Sequence, residues 1–450
     1  MTTTWQNWSG SVTARPESIR YLETLDEVVA IVREARARGT TVRAVGAGHS
    51  FTPLAQTDGV LVSLARYAGL EAVDPAARRA TVRAGTTLRA LGELLRAHGL
   101  AQENLGDVDP QSIAGAISTG THGTGITLGS VATQVVALTL VTGTGEVVHC
   151  SEEQNRELFK AAQVSLGALG IIVSVTLQLV PAYRLAYTWR REPLARTLER
   201  LEAEREANRH FEFYWFPYSP WALVKRMNIT QEPARGAGLL RRLNDVVLEN
   251  GAFWLLSEVA RLFPAASPRV AAICGALVSS GQDVNHSHKV FASPRLVRFN
   301  EMEYSLPAAH MAEVVRAIDA CIRRERFRVH FPIECRYVRG DDIFLSPANG
   351  RDSAYIAVHM YRGMPYRPYF DAVERIFRSF GGRPHWGKLH TLGAAELREL
   401  YPDWSRFLAV RRQLDPDGVF LNAHLRHLFG EGPGGQAPAF AGGGAGAERA

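Results

Sequence analysis

Lysine is scarce in this chain: Lys160, Lys225, Lys289 and Lys388 are the only four among 51 basic residues, and the rest are arginine. The formal net charge of +6 is therefore an arginine excess, and it is dispersed. Its densest pairs, Arg190-Arg191, Arg241-Arg242, Arg323-Arg324 and Arg411-Arg412, are each diluted by nearby acids or apolar residues. No run of like charge reads as a basic arm, so nucleic acid is not an expected partner. Cysteine is scarce too. Cys150, Cys274, Cys321 and Cys335 are scattered without CxxC spacing, which argues against a disulfide framework or a zinc module and suits a reducing, cytoplasmic setting. The longest uncharged apolar stretch, near Val270–Gln282, falls short of the roughly 18 residues of a membrane span. Met1–Ser11 shows neither the basic n-region nor the apolar h-region of a signal peptide. Internal repeats are missing, as are G-x-G-x-x-G and G-x-x-x-x-G-K-[ST], so the usual NAD and ATP sites are not supported.

What remains is a globular composition: 450 residues, 46% hydrophobic and 21% charged, enough for two or three domains. Over the first ~180 residues short strand and helix signals alternate. Strands are expected at Ser18–Leu22, Thr41–Val45, Val60–Leu64, Arg79–Arg83, Val135–Val141, Glu146–Cys150 and Gly170–Val180, with helices at Asp26–Arg38 and Leu88–His98. After Pro181 the chain turns aromatic and arginine-rich. Strand patterns at Phe211–Phe216, Ala222–Met227, Val297–Tyr304, Arg328–Val338 and Ala354–Tyr361 surround helices at Ala308–Arg324 and Tyr369–Phe380, an α+β pattern. Asn244–Val278 reads as apolar and helical. The Gly/Ala/Pro tail from Gly430 reads as disordered.

Two glycine-rich segments carry the first chemistry. In Val45-Gly46-Ala47-Gly48-His49-Ser50-Phe51 and in Gly115–Gly125 (GAISTGTHGTG), glycine removes the Cβ that would hold a diphosphate away and lets backbone N–H groups converge on it. Ser50, Ser118, Thr119 and Thr121 add neutral donors. Together the loops favour a dinucleotide.

Arg43–Pro53, Ser112–Gly125, Ser165-Leu166-Gly167-Ala168-Leu169-Gly170-Ile171-Ile172 and Arg383-Pro384-His385-Trp386-Gly387-Lys388 resemble the aldono-lactone oxidoreductases. That family includes arabinono-lactone oxidase, gulono-lactone oxidase or dehydrogenase, and alditol oxidase. The resemblance spans roughly residues 10–428 and is weakest over 244–294. It implies the two-domain α+β vanillyl-alcohol-oxidase (PCMH-type) fold, with an FAD domain at 10–180, a substrate or cap domain at 181–380 and a segment, 381–428, returning to the FAD domain. FAD would be held by Gly46, Ala47, Gly48, His49, Ser50, Gly115, Ser118, Thr119, Gly120, Thr121, His122, Gly123, Gly125, Gly170 and Ile172. The resemblance further implies covalent attachment of the flavin to His49, with His122 touching the diphosphate or the ring edge.

In Pro332-Ile333-Glu334-Cys335-Arg336-Tyr337 the two-residue strand period puts Glu334 and Arg336 on one face. Opposite charges there suit a pocket for a polyhydroxylated substrate, and the family's Glu-x-Arg pair at the flavin supports that over an exposed ion pair. His359, on a following strand, would neighbour them if the two strands pair as a hairpin, either to orient or deprotonate the reacting hydroxyl or as a buried structural group. The resemblance places Lys388 at the active site and Ser112 against substrate. The expected reaction is FAD-dependent oxidation of a sugar-acid lactone, D-arabinono- or L-gulono-1,4-lactone, with the flavin reoxidised by O2 or another acceptor. Three alternatives stand beside it: an alditol (xylitol or sorbitol) oxidase, a nucleotide-binding module, and a zinc hydrolase using His286, His288 and His122 or His310.

Overall fold

The computed structural model describes residues 4–235, 250–292 and 297–432. The first half is built on two small sheets. Val60–Ser63 lies between Ser18–Tyr21 and Val42–Val45 in a parallel three-stranded sheet. Helix Leu25–Arg38 packs Val28, Ile31, Val32 and Ala35 inward. A capping box between Thr24 and Glu27 starts this helix, and Gly39 in the left-handed region (φ 63°) ends it. The second sheet is antiparallel, in the order Val147–Ser151, Val135–Val141, Ile171–Gln178, Arg79–Arg83, Leu70–Asp74. Its edge strand Leu70–Asp74 went unread, because it is half exposed and shows no clean alternation.

The second half is one eight-stranded sheet. Its order is Gly281–His286, Arg184–Pro193, Trp221–Thr230, His210–Trp215, Ile333–Val338, Ser353–Tyr361, Phe299–Pro307, Arg383–Pro384. The expected strands of this half lie within two or three residues of their predicted ends, except that Arg328–Pro332 precedes its strand. Three strands were not anticipated, Arg184–Pro193, Gly281–His286 and the two-residue Arg383–Pro384. The first carries Arg190, Arg191 and Glu192 at its exposed end, which breaks the apolar alternation. Helices Met311–Glu325 and Arg367–Ser379 cover one face, where Tyr304 stacks on Phe377 at 5.0 Å. Alternation along Phe299–Pro307 then sends Met302, Tyr304 and Leu306 toward the helices and Glu301, Glu303 and Ser305 to the opposite face.

Within the expected apolar stretch 244–278, helices run over Asn250–Leu262 and Ser267–Leu277, and 244–249 lie outside the described residues. Of the expected tail, Gly430 caps helix Ala423–Phe429 (φ 69°), and 433–450 lie outside the described residues. Among the described residues no helix is long and apolar enough to cross a membrane.

The chain's end packs back on its beginning. The Asn422 amide donates to the carbonyls of Pro53 (2.8 Å), Leu54 (3.2 Å) and Gln56 (2.8 Å), and Gly143 N–H donates to Leu414 O (2.9 Å). Arg43, 2% exposed, joins three segments: its guanidinium donates to Leu54 O (2.7 Å), Gly167 O (2.8 Å), Phe420 O (2.6 Å) and Leu166 O (2.8 Å). Burial lowers its pKa to about 10, with the Asp415 charge opposing.

Five imidazoles are buried as neutral groups. Burial lowers His210, His330 and His390 to about 4, and His385 and His424 to about 3, from 6.5. Between those values the unfolded chain binds more protons than the folded one, so these groups cost stability as pH falls from 6.5. Glu93 and Glu303, lowered to about 2, add to the loss only below 4.5. Burial raises Asp341 to about 6 and also raises Asp371 and Asp415. These three carboxyls oppose the loss, set against the five imidazoles and His286 and His288, which burial lowers as well. The urea midpoint should therefore fall steadily from pH 7.5 to pH 5, and a flat profile would contradict the assignment of neutral histidines.

Candidate active site

The first glycine loop leaves strand Val42–Val45 and turns at Gly48, whose φ of 68° favours glycine. It meets the second loop closely: a Cβ on Gly46 would stand 2.4 Å from Ser112 Oγ. Ser112 begins helix Ile113–Ser118 and accepts the Gly115 N–H at 3.3 Å. Gly46 and Ala47 are exposed, and their N–H groups donate to no protein acceptor among the described residues. Farther on, a Cβ on Gly123 would stand 2.2 Å from Leu105 O. Open amides, absent Cβ atoms and neutral hydroxyls fit the diphosphate of a dinucleotide, held without a lysine.

Facing these loops across a cleft of about 690 Å³ is the polar face of the eight-stranded sheet. Register builds it in rows. Glu212 pairs with Arg336, Arg336 with Tyr355, and Tyr355 with Ser305. One step along, Tyr214, Glu334, Ala357 and Glu303 line up, and beyond them His359 pairs with Glu301. The Arg336 guanidinium meets Glu334, Glu212 (2.8 Å) and Asp107 (3.4 Å) and donates to Tyr214 Oη at 3.2 Å. Tyr214 donates to Glu334 at 2.7 Å, and Lys225 pairs with Glu212 at 3.1 Å. Burial works against charge on Arg336 and Glu212. Their ion partners outweigh it, holding the Arg336 pKa well above and the Glu212 pKa below the ordinary values. Burial, joined by the charges of Glu212 and Glu334, pushes the Tyr214 phenol well up.

A second polar group sits beside the first. Lys388 pairs with Glu301 at 2.5 Å and lies 5.2 Å over the Phe51 ring. His385 accepts the Gly387 N–H at Nδ1 (3.1 Å), and burial lowers it to about 3, so its Nε2 carries the proton. Burial would raise the Glu303 carboxyl, but the neighbouring His122 and His385 outweigh it and leave Glu303 at about 2.

The predicted residues fall into place unevenly. His49, Ser50, Thr119, Thr121, His122, Glu334, Arg336 and Lys388 line the cleft together, with the His49 ring stacked on Trp8 at 5.5 Å. Gly170 and Ile172 lie at the start of buried strand Ile171–Gln178, where Ile172 pairs with Leu140. Three of the expected residues have other contacts or positions. Ser112 is not in the cleft lining and serves as a helix cap. His122 lines the cleft with its ring held at both nitrogens, Nδ1 by Gly123 O (2.9 Å) and Nε2 by Glu303 (3.1 Å). His359 does pair beside Glu334, yet it stands behind Glu301 and does not line the cleft.

The zinc alternative fails on geometry. His288 pairs with Glu93 (3.3 Å) and His310 with Glu313 (3.2 Å), while His122 is held by Glu303. Among the described residues, two groups are close enough to share an ion, His122 with Glu303 and His385, and Glu301 with Glu334 and His359, and neither contains His286, His288 or His310.

Sequence reasoning missed Glu301, Glu303, His385, Glu212, Tyr214 and Asp107. The carboxylates of Phe299–Pro307 carry the same two-residue signal as Glu334 and Arg336, and His385 lies inside a motif already singled out. Glu212, Tyr214 and Asp107 reach Arg336 only through strand order and loop position.

A mixed fold of this kind, with paired charges facing glycine-rich loops, defines a flavoprotein oxidoreductase. The family model for D-arabinono-1,4-lactone oxidase matches residues 175–428, and that for an FAD binding domain matches 16–151. The chain is 44% identical to the L-gulono-1,4-lactone dehydrogenase of Mycobacterium tuberculosis strain H37Rv, over 96% of this chain and all of that protein. It is 35% identical to the L-gulonolactone oxidase of Bos taurus (94% and 98% covered) and 32% identical to the alditol oxidase of a Streptomyces species (95% and 100%). Among solved structures, cholesterol oxidase from B. sterolicum superposes with a TM-score of 0.77 at 20% identity, covering 95% of this chain and 97% of that one, a likeness of fold alone. The chain belongs to the aldono-lactone oxidoreductase family and carries its FAD-binding domain.

Arg336→Met removes the guanidinium from between Glu212, which keeps Lys225, and Glu334, which keeps the Tyr214 hydroxyl, and should cost roughly 3–5 kcal/mol of stability. Adding Glu334→Gln removes one of the two crowded carboxylate charges and should recover part of that loss. A double-mutant cycle by urea unfolding reads the coupling, and simple additivity would show that the pair does not interact.

Proposed function

We propose that the protein oxidises a secondary hydroxyl of a sugar-acid lactone, L-gulono-1,4-lactone or D-arabinono-1,4-lactone, and that O2 or another acceptor then takes the electrons. The observation that carries this reading is the pairing of two ion-bonded groups, Arg336 with Glu334 and Lys388 with Glu301, opposite loops fitted to a dinucleotide. When bound, FAD supplies a two-electron acceptor for hydride.

The chain's own residues supply position and charge. A carboxylate accepts hydroxyl donors, and an ammonium has three donors, of which Lys388 commits one to Glu301. A neutral, many-hydroxyl ring can exchange water for these groups without bringing in a charge of its own. Arg336, enclosed by three carboxylates, serves chiefly to hold Glu334 ionised and oriented.

Covalent attachment of the flavin through His49 is part of the same proposal. His49 lines the cleft, its ring is steadied by Trp8, and it follows the turn at Gly48. A neutral imidazole there is a competent nucleophile.

The test is anaerobic bleaching of the bound flavin by a panel of L-gulono-, D-arabinono- and L-galactono-lactones, xylitol and sorbitol. Bleaching by a lactone supports the reading, and bleaching by polyols alone moves the assignment to alditol oxidation. For His49, the acid-precipitated pellet should stay yellow and fluoresce on a denaturing gel, and His49→Ala should give a colourless pellet. Flavin wholly released from the wild-type pellet would refute the linkage.

A further inference from the structure

Loss of hydride from an alcohol carbon requires loss of the hydroxyl proton, and neither Glu334 nor Lys388 is placed to take it. Glu334 is tied to Arg336 and Tyr214. Lys388 is a cation. His359 has a lone pair available, because its Nδ1–H donates to Pro332 O at 2.8 Å. That carbonyl fixes the tautomer and leaves Nε2 as the acceptor. Yet the ring is 3% exposed, lies edge-on to Phe299 at 5.0 Å and does not line the cleft. Between it and the cleft stands Glu301, which does line the cleft, with Oε1 at 3.4 Å from His359 Nε2 and Oε2 at 2.5 Å from Lys388 Nζ.

We propose that Glu301 is the proton acceptor of the reaction and that His359 is the positioning residue behind it. This rests on the oxidation proposed above. Lys388, beside the Glu301 carboxylate, donates to the substrate hydroxyl oxygen and steadies the charge that grows there. The O–H bond breaks and its proton forms a bond to a Glu301 carboxylate oxygen. The C–H electron pair leaves with hydrogen as hydride to the flavin, which is reduced by two electrons as the alcohol carbon is oxidised to a carbonyl. Glu301 then passes its proton to the lone pair of His359 Nε2, which becomes imidazolium with Nδ1–H still on Pro332. The balance closes with substrate, flavin and these two side chains.

The arrangement also explains why two carboxylates, two residues apart, occupy one strand. Glu303, one step along, is committed to His122 at 3.1 Å. Glu301 instead faces Lys388, His359 and, across the adjoining strand, Glu334, whose carboxylate oxygen lies within 4.8 Å of its own.

The experiment uses holoenzyme and single-turnover anaerobic flavin reduction with L-gulono-1,4-lactone, the wild type against Glu301→Gln, Glu301→Asp and His359→Gln. Glu301→Gln should keep the flavin spectrum and bind lactone within about 3-fold of wild type, while the limiting reduction rate falls by about 100-fold or more, the range of general base catalysis. Glu301→Asp should recover part of that rate. Nitrogen-15 spectra of the histidine-labelled holoenzyme give an independent reading. They should show His359 in the Nδ1–H tautomer, with an Nε2 signal that moves in Glu301→Gln. A limiting rate unchanged in Glu301→Gln, or a loss confined to lactone affinity, would overturn the proposal and leave the lactone reading standing. A His359 ring protonated at Nε2 and bare at Nδ1 would overturn the relay. Failure of any lactone or polyol to bleach the wild-type flavin would overturn the function itself, and the proposal with it.

Discussion

One buried guanidinium organises the site. Arg336 sits near the middle of an eight-stranded sheet, 8% exposed, with carboxylates from three separate segments around it. A lone charge at that depth would be expensive, and so would any one of those carboxylates without it. Their mutual pairing lets the sheet turn a polar face inward toward the first half of the chain. Helices take the apolar face, so the same alternation that makes a core on one side makes a pocket wall on the other. Glu301, Glu303 and Lys388 can then stand at the cleft because the interior charge behind them is already balanced.

The opposite wall obeys a different constraint. Its loops must approach one another more closely than a Cβ would allow, and they must leave amides open. Arg43 holds this arrangement from beneath by gathering the carbonyls of Leu54, Leu166, Gly167 and Phe420. It joins the strand that feeds the GAGHS loop to the SLGALG loop and to the returning C-terminal segment. His122 ties the two walls together, reaching from the second glycine loop to Glu303 on the sheet. A residue that sequence alone suggested for the cofactor is thus a bridge between the halves.

The parts of this site legible in the sequence were those whose signal is local. The glycine loops, the Glu334-x-Arg336 face and the strand pairing that brings His359 beside Glu334 all follow from spacing along one or two strands. Glu301 and Glu303 were equally local, on a strand correctly anticipated, but their alternation was read only as secondary structure. Glu212 and Tyr214 were hidden for a deeper reason. They meet Arg336 because His210–Trp215 lies next to Ile333–Val338, a neighbour relation spanning more than a hundred residues that hydrophobic period does not encode. The same limit left the depth of His359 open: its sheet face was legible, and its place behind Glu301 depends on the third strand. Ser112 was assigned by likeness alone, and its capping bond to Gly115 is a local feature that the assignment did not use.

The central claim is that the charged face of the sheet performs chemistry on substrate and is not merely a buried ionic core. Glu334→Gln tests it most directly, since the change keeps volume and leaves Arg336 paired with Glu212 and Asp107. In anaerobic stopped-flow, lactone should reduce the variant's flavin at least about 100-fold more slowly than the wild type's. Dithionite should reduce both alike, and the unfolding midpoint should shift only modestly. Equal reduction of both flavins by lactone would contradict the claim and return the whole face to a structural role.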